Sequence, residues 1–371
     1  MRAAGGLALL VIMCCLSTNA LAQNLEQNLC LFSQPESRVS DLSFQGSFSW
    51  YDGPYADDRN RAVSASVMAD YQGLRSTSAL EQGINAKMEL RGADVGWSLS
   101  VAGSGDWKSF FRNDLFGIGA FGIDINLDSG LEIALTGGVG KGRFHDVAPL
   151  AQAIRIQNAL LDHSILLAPI GDDALDEIAR ILGEIGPRSD EKLVAITQRL
   201  IDTGLIGGEE VGVLGLLSIE EIMESEETRL CGADIQARIG ASLSLLPVFR
   251  ISATGNVLAQ YAIAPDPVSQ LDSSLEAKFR LADPEQFHAR ATVSYNRRLP
   301  DGWTARASYR LELDRMWSTA SETLISQAAS ASLTTQILGS MGLSLVGSVQ
   351  HELGDEEVTI SLAAYVEADL L

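Results

Sequence analysis

The stretch WTARASYRLELD, residues 303–314, alternates apolar and polar side chains without interruption. The apolar positions all share one parity: Trp303, Ala305, Ala307, Tyr309, Leu311 and Leu313. The other parity is polar: Thr304, Arg306, Ser308, Arg310, Glu312 and Asp314. In a β-strand these two parities form the two faces. A soluble strand usually has about five or six residues, whereas a tilted strand needs roughly 9–11 to cross a bilayer. The stretch therefore predicts a long strand whose apolar face contacts lipid or an extended protein core.

The same alternation recurs along most of the chain and predicts fourteen strands. Six precede residue 145: three alternate through 41–50, 63–71 and 84–91, and three begin near Val95, Leu115 and Leu131. Eight follow residue 232, beginning near Ala233, Arg250, Ser273, Gln286, Trp303, Ser321, Leu338 and Glu357.

Two short turns share one design, LDSGL at 127–131 and LPDGW at 299–303. Each suits a type I turn followed by glycine in the left-handed bulge position. If Leu299 opposes Trp303, the pairing sets Arg290 opposite Glu312 and His288 opposite Asp314. A slip of the register would instead place two arginines opposite each other, which is unfavourable across a ladder. Turn chemistry and electrostatics therefore predict the same register.

Between the two sets of strands, residues 146–230 change to a helical period. Asp146 is predicted to cap a first helix that has Pro149 in its first turn, and Asp172 or Asp173 to start a second. A third is predicted to start at Ser189 and to stop at Gly204. Ser218 with Glu221 is read as the capping box of a further helix. The segment carries 17 acidic and 6 basic residues, a net charge of −11. We expect an insert of amphipathic helices that pack against one another or against a neighbour.

The first residues, MRAAGGLALLVIMCCLSTNALAQ, predict a secretory signal peptide over residues 1–22, with cleavage near Gln23. Beyond residue 22 the sequence has no run of 18 or more apolar residues, so it predicts no transmembrane helix.

Removal of residues 1–22 takes away one basic residue and no acidic one, so the net charge changes from −21 to −22. This acidity argues against nucleic acid as a partner and against a polybasic lipid-binding surface on the protein. The two cysteines beyond the signal, Cys30 and Cys231, predict one disulfide in an oxidising compartment.

A signal peptide, long alternating strands, an even strand count and short glycine turns together resemble a bacterial outer-membrane β-barrel. The resemblance implies a mainly β fold, a transmembrane antiparallel β-barrel of about 14 strands (12–16), with a small all-α periplasmic insert. It implies five regions: signal peptide 1–22, N-terminal periplasmic segment 23–37, first part of the barrel 38–145, helical insert 146–230 and second part of the barrel 231–371. In such barrels the N-terminus is periplasmic, so six strands return the chain to the periplasm. Both cysteines then lie on that side. We expect the insert at or just below the periplasmic mouth of the barrel, and the alternative is a plug inside the lumen.

The polar faces carry a candidate cationic cluster for a barrel lumen: Lys87, Arg91, Lys278, Arg280, Arg290, Arg306 and Arg310. Around a water-filled lumen such a cluster favours anions. The alternative is an interior filled by salt bridges, with Arg290–Glu312 and His288–Asp314 among them.

The four histidines show neither metal-ligand spacing nor a nucleophile signature, so we predict no enzyme, catalytic residue, metal or cofactor. The predicted function is a porin-like channel for small solutes in the outer membrane of a Gram-negative bacterium. One alternative is a structural or assembly protein whose acidic insert, residues 146–230, binds a periplasmic protein. Another is a secreted soluble β-sandwich that acts as a binding protein. Outer-membrane lipid is the partner expected for the barrel.

Overall fold

A computed structural model describes most of the chain after the first 28 residues. The described ranges are 29–32, 36–52, 61–77, 79–93, 96–112, 114–126, 130–184, 187–208, 210–224, 228–245, 249–280, 286–299, 302–316, 323–338, 341–352 and 358–368. The predicted signal peptide and its cleavage position lie outside these residues.

Fourteen β-strands form one antiparallel sheet in the described part of the chain, and each strand pairs with the next in sequence order. They are β1 (Glu36–Asp52), β2 (Arg61–Thr77), β3 (Leu80–Ala93), β4 (Gly96–Arg112), β5 (Leu115–Asn126), β6 (Gly130–Asp146), β7 (Leu230–Ser244), β8 (Arg250–Asp266), β9 (Ser269–Arg280), β10 (Gln286–Arg298), β11 (Trp303–Met316), β12 (Thr323–Leu338), β13 (Met341–Glu352) and β14 (Val358–Ala368). The predicted mainly β fold and the number of strands are confirmed. A two-sheet sandwich does not fit, because all these strands belong to a single sheet.

Four α-helices follow β6 in the described residues: α1 (Ala148–Asp162), α2 (Asp172–Gly183), α3 (Ser189–Asp202) and α4 (Gly212–Glu224). Within the described residues the chain divides into two compact units. The helical unit combines residues 29–32, 144–232 and 262–271, and the sheet unit contains the remaining strand residues.

The helical unit has an apolar core of its own. Residues such as Ile156, Ile178, Leu200 and Ile219 are buried between its helices. The loops after α1 and α3 are joined by an antiparallel bridge between Leu166 and Ile206. The unit is therefore a pair of helix–loop–helix segments stabilised mainly by burial of apolar side chains.

The helix starts at Asp172 and Ser189 and the turn after α3 match the sequence expectations, but the predicted capping box is wrong. Ser218 lies inside α4, which begins at Gly212, and its hydroxyl donates to the carbonyl of Leu214 at 3.0 Å. Serine can bond back to a carbonyl four residues earlier, so the same residue type fits both a cap and a helix interior. At α1, the Asp146 carboxylate accepts the Ala148 N–H at 3.0 Å, although Val147 is the residue at the cap position.

The predicted hairpin register is confirmed. In the β10–β11 ladder, Arg290 is opposite Glu312 and His288 is opposite Asp314. The turn is closed by the Leu299 N–H, which donates to the Trp303 carbonyl at 2.6 Å. Gly302 has a φ of 74°, the left-handed conformation that the turn requires.

In the sheet unit, large apolar side chains are mostly exposed and several polar side chains are buried. Among its described residues the only buried large apolar side chains are Phe116 and Ile118. Exposed apolar side chains recur instead at alternate positions of one face: Val67, Ile84, Met88, Phe121, Ile123, Ile125, Leu135, Val139, Ile235, Ile239, Ile251, Val257, Leu275, Leu311, Leu345 and Val349. The other face carries the polar residues, several of which are buried. Apolar side chains therefore point away from the interior of this unit.

Glycines set the close approach of β6 to β7. A methyl group at Gly138 would overlap the carbonyl oxygen of Ala237 and lie 2.8 Å from the Cα of Arg238. Gly140 and Gly142 follow the same pattern two and four residues later, facing the carbonyls of Ile235 and Ala233. The seam between β6 and β7 therefore has no room for a side chain at these positions. It brings the polar residues of β7 close to β6.

We predict that Gly138→Ala lowers the free energy of unfolding by about 1–3 kcal/mol, because β7 must move to accommodate the methyl group. Gly103→Ala on β4 is the matched control, since a methyl group there meets nothing within 4 Å. That change restricts the unfolded chain equally and should be neutral or stabilise by up to about 1 kcal/mol. Denaturant midpoints followed by tryptophan fluorescence compare the two variants. Equal midpoints would contradict a steric role for Gly138.

Candidate functional site

A buried ion cluster lies on the polar face of the sheet. The Lys108 ammonium on β4 is 2.7 Å from Glu81 Oε1 on β3 and 2.6 Å from Asp234 Oδ2 on β7. These side chains are 7%, 7% and 0% exposed, respectively. β3 and β4 are neighbours, but β7 is three strands beyond β4 in the sheet. The sheet unit is therefore curled enough for Lys108 to reach Asp234 across its concave polar face.

Aromatic side chains pack around this cluster, hereafter the lysine cluster (Glu81, Lys108 and Asp234). Lys108 Nζ lies 5.3 Å from the centroid of the Phe116 ring, which meets Phe110 edge to face at 5.5 Å. The Arg143 guanidinium lies 3.7 Å from the centroid of Phe110. Desolvated cations over aromatic faces are stabilised by the ring quadrupole. This sector of the polar face, from β3 to β7, is filled by side chains.

Two of the cations predicted for a lumen, Arg290 and Lys278, are paired in the structure. Arg290 Nε lies 2.6 Å from Glu312 Oε1, although the N–H does not point at that oxygen, so the contact is an ion pair without a well-formed hydrogen bond. Lys278 Nζ is 3.0 Å from Glu276 Oε1. The remaining predicted pair, His288 Nδ1 with Asp314 Oδ1, is separated by 2.6 Å.

The other predicted cations are distributed differently. Arg306 and Arg310 lie on the polar parity of β11, where their ladder neighbours are Asn296 and Ser332, and Thr292 and Ala328, respectively. Neither arginine, nor Lys87 on β3, forms an ion pair with a described side chain. The backbones of Arg91 and Arg280 belong to β3 and β9, but their side chains lie outside the described part of the structure.

A cavity of about 730 Å³ opens on the polar face between β6 and β12. Its charged lining includes Glu132, Arg238, Lys278 and Asp314, and His288 lies beside Asp314. Uncharged polar groups come from Ser242, Thr254 and Asn256. The cavity lies toward the end of the sheet where β6 begins and β9 ends. It can accommodate water and a small polar solute beside charges of both signs.

The helical unit contains the predicted disulfide, Cys30–Cys231, with an S–S distance of 2.07 Å. Cys231 is buried, and its sulfur accepts the Ala264 N–H at 3.5 Å. The Gln270 side chain bonds both the N–H and the carbonyl of Leu230 at 3.1 Å. A crosslink over 201 residues removes about 5 kcal/mol of chain entropy from the unfolded state in the loop-closure model.

The described residues contain no group of three or more His, Cys, Asp or Glu side chains arranged to hold a metal ion. No described helix is long and apolar enough to cross a membrane. The GVGKG run at 138–142, which superficially resembles a phosphate loop, belongs to the tight seam between β6 and β7. The described charged and polar side chains of the polar face offer ionic and hydrogen-bonding contacts to a solute.

No protein-family model matches the chain, and no curated protein matches it significantly. Among solved structures it is similar to the translocator domain of the autotransporter NalP from Neisseria meningitidis, with 8% identity and a TM-score of 0.27, covering 98% of this chain and 97% of that chain. It is similar to Pseudomonas aeruginosa OccK10 (OpdN), with 8% identity and a TM-score of 0.33, covering 92% and 99% of the two chains. A mutant of the Rh. blastica porin has 11% identity and a TM-score of 0.28, covering 90% and 100%. The TM-scores of these three structures are all below 0.5.

Lys108→Ala should reduce the free energy of unfolding by about 3–5 kcal/mol, because it leaves two carboxylates buried without their cation. Lys87→Ala is the control, since Lys87 is exposed on the polar face of the adjacent strand β3 and has no described ion pair. It should change the free energy by less than about 0.5 kcal/mol. Urea titration of both variants in the same detergent measures the difference. Similar small losses in both would show that the lysine cluster does not stabilise the sheet.

Proposed function

We propose that the chain is an outer-membrane β-barrel that forms a channel for small solutes. The observation that carries this proposal is the exposed apolar face of the sheet unit, which continues over strands of 11 to 17 residues. In water, so large an apolar surface would be covered by another protein or cause aggregation. In a bilayer it is the surface that contacts lipid, and these strands are long enough to cross.

The barrel would close by pairing β1 with β14. Within lipid every backbone polar group needs a partner, so a spanning sheet cannot keep two free edges. The two edge strands already come within 8 Å of each other between Cα atoms. Closure would leave the polar face inside, together with the lysine cluster and the cavity.

The lengths of the connections favour an orientation. At the end of the sheet where β1 begins, the strands are joined through 78–79, 113–114, 267–268, 299–302 and 339–340, and through the helical segment between β6 and β7. At the opposite end, connections of five residues or more occupy 53–60, 245–249, 281–285, 317–322 and 353–357, with short ones at 94–95 and 127–129. Outer-membrane barrels have short periplasmic turns and longer extracellular loops. We therefore place the helical segment on the periplasmic side, at the mouth of the channel.

The paired charges determine which solutes the channel would favour. Glu276 and Glu312 compensate Lys278 and Arg290, and the lysine cluster is already occupied by its own carboxylates. Arg306 and Arg310 remain beside neutral hydroxyl, amide and methyl groups on β10 and β12. Uncompensated guanidinium groups along a water-filled lumen attract anions. We expect a weak preference for small anions.

Membrane insertion is tested by substitutions on the two faces of one hairpin. Leu311→Arg would place a charge on the lipid face of β11 and should cost roughly 2–4 kcal/mol near the bilayer midplane. Ser294→Arg, on the polar face of β10 and opposite Ser308, should cost much less. Urea titration in lipid vesicles measures both. A water-soluble wild-type protein, or equal losses in the two variants, would contradict the membrane barrel.

Conduction is tested in planar bilayers with a KCl gradient. The wild-type channel should give a reversal potential of the sign expected for anion preference. The double substitution Arg306→Ser and Arg310→Ser should shift the potential toward that of a non-selective pore. Replacement of both arginines by lysine keeps the charge and should retain the preference. Absence of any conductance from folded protein would contradict the channel, and an unchanged potential in the serine variant would contradict the role of the arginines.

A further inference from the structure

The helical unit contains an internal repeat. A shift of 40 positions relates α1 and its following loop to α3 and its loop, so that Leu160 corresponds to Leu200 and Leu166 to Ile206. The first pair is buried in the core, and the second forms the antiparallel bridge between the loops. The same shift relates Asp172, the first residue of α2, to Gly212, the first residue of α4. The two helices α2 and α4 can therefore be compared position by position.

Their inward faces agree at two positions. Ala179 and Ile219 are both fully buried, and Leu182 and Ile222 are both 8% exposed. At a third position Ile178 is fully buried, whereas Ser218 is half-buried and donates to a carbonyl of its own helix. Burial of these inward positions is the main source of stability for such short helices.

Their outward faces differ in kind. Asp173 and Glu177 are exposed on α2, where the corresponding residues of α4 are Val213 and Leu217. Val213, Leu214 and Leu217 are 73%, 68% and 56% exposed. Helix α2 packs in its copy of the repeat with charged residues at these two positions. Packing of the helical unit therefore does not require the apolar residues at the same positions of α4.

The apolar positions continue into an acidic stretch on the same side of the helix. Residues 213, 217, 220 and 224 follow each other at intervals of four, three and four, which forms one stripe. Glu220, Glu221 and Glu224 are exposed, and none of them pairs with a basic side chain in the described residues. The outward face of α4 therefore presents two apolar turns followed by about two acidic turns.

We propose that this α4 stripe (Val213, Leu214, Leu217, Glu220, Glu221 and Glu224) binds an amphipathic helical segment of another protein. The matching segment has apolar residues that cover the first two turns and lysine or arginine residues that meet the acidic turns. Burial of apolar area supplies affinity, and complementary charge fixes the direction of the bound segment. This proposal is independent of the channel, because it concerns only contacts of the helical unit.

Two other occupants fit the stripe less well. A second copy of the chain would place glutamates against glutamates in a parallel arrangement, or against leucines in an antiparallel one. A membrane surface with anionic lipids would repel a segment of net charge −11. Charge complementarity therefore favours a basic partner.

The experiment uses the full chain in zwitterionic nanodiscs and a fluorescent helical peptide of leucine and lysine, about five turns long, built with one apolar stripe. Empty nanodiscs supply the background signal. The key variant carries the α2 residues on α4, Val213→Asp together with Leu217→Glu. It adds negative charge, yet it should weaken peptide binding by about tenfold or more because the apolar contact is lost. Asp176→Asn, on the outward face of α2, is the matched control and should bind like the wild type.

The acidic half of the stripe is tested separately. Replacement of Glu220, Glu221 and Glu224 by glutamine should weaken binding severalfold at low salt, and this difference should largely disappear at about 0.5 M NaCl. A peptide in which glutamate replaces lysine should not bind detectably. Circular dichroism checks that the variants keep the helix content of the wild type.

Three outcomes would overturn the proposal. The first is equal affinity of the wild type and the Val213→Asp, Leu217→Glu variant for the basic peptide. The second is self-association of the wild type that this variant abolishes, which would assign the stripe to a second copy. The third is that the full-length protein does not bind the peptide but binds vesicles through its helical unit, and that the Val213→Asp, Leu217→Glu variant loses this vesicle binding.

Discussion

The structure depends on the separation of apolar and charged side chains to opposite faces of every strand. Across the described sheet, alternate residues such as Phe121, Ile123 and Ile125 point away from the interior, and polar residues occupy the other side. A sheet built in this way obtains little stability from burial of its own apolar residues in water. Its strands need an apolar surrounding, and the length of the strands matches a bilayer. The proposed closure of the barrel and its polar lumen both rest on this one arrangement.

The sheet has an unusually close approach between β6 and β7. At Gly138, Gly140 and Gly142 the β7 backbone occupies the space of absent side chains. This close seam buries Asp234 and Gln236 on the polar face, where Lys108 from β4 reaches Asp234. Small residues in β6 and a long cation in β4 therefore act together. The same contact fills one sector of the polar face, while the cavity lies in the sector from β6 to β12.

Periodicity predicted the number of strands and the β10–β11 register because both are local properties of the chain. A similar treatment of the β3–β4 hairpin would have found Glu81 opposite Lys108, since Ala93 pairs with Gly96 and fixes that ladder. Asp234 could not have been found in this way, because its contact with Lys108 crosses strands that are not neighbours and depends on curvature. The capping box at Ser218 failed because a short motif cannot distinguish a helix start from a helix interior that contains the same residues.

The two units bury apolar surface in opposite directions, and this difference constrains the order of assembly. The helical unit has a conventional core, but that core includes Leu29 and Phe32, which precede β1, and Ala264, which belongs to the β8–β9 hairpin. Its parts are separated by six strands before α1 and two strands after α4. The core is thus completed only when the chain as far as β8 is present. Because the Cys30–Cys231 bond packs in this core, it ties the N-terminal segment to the start of β7.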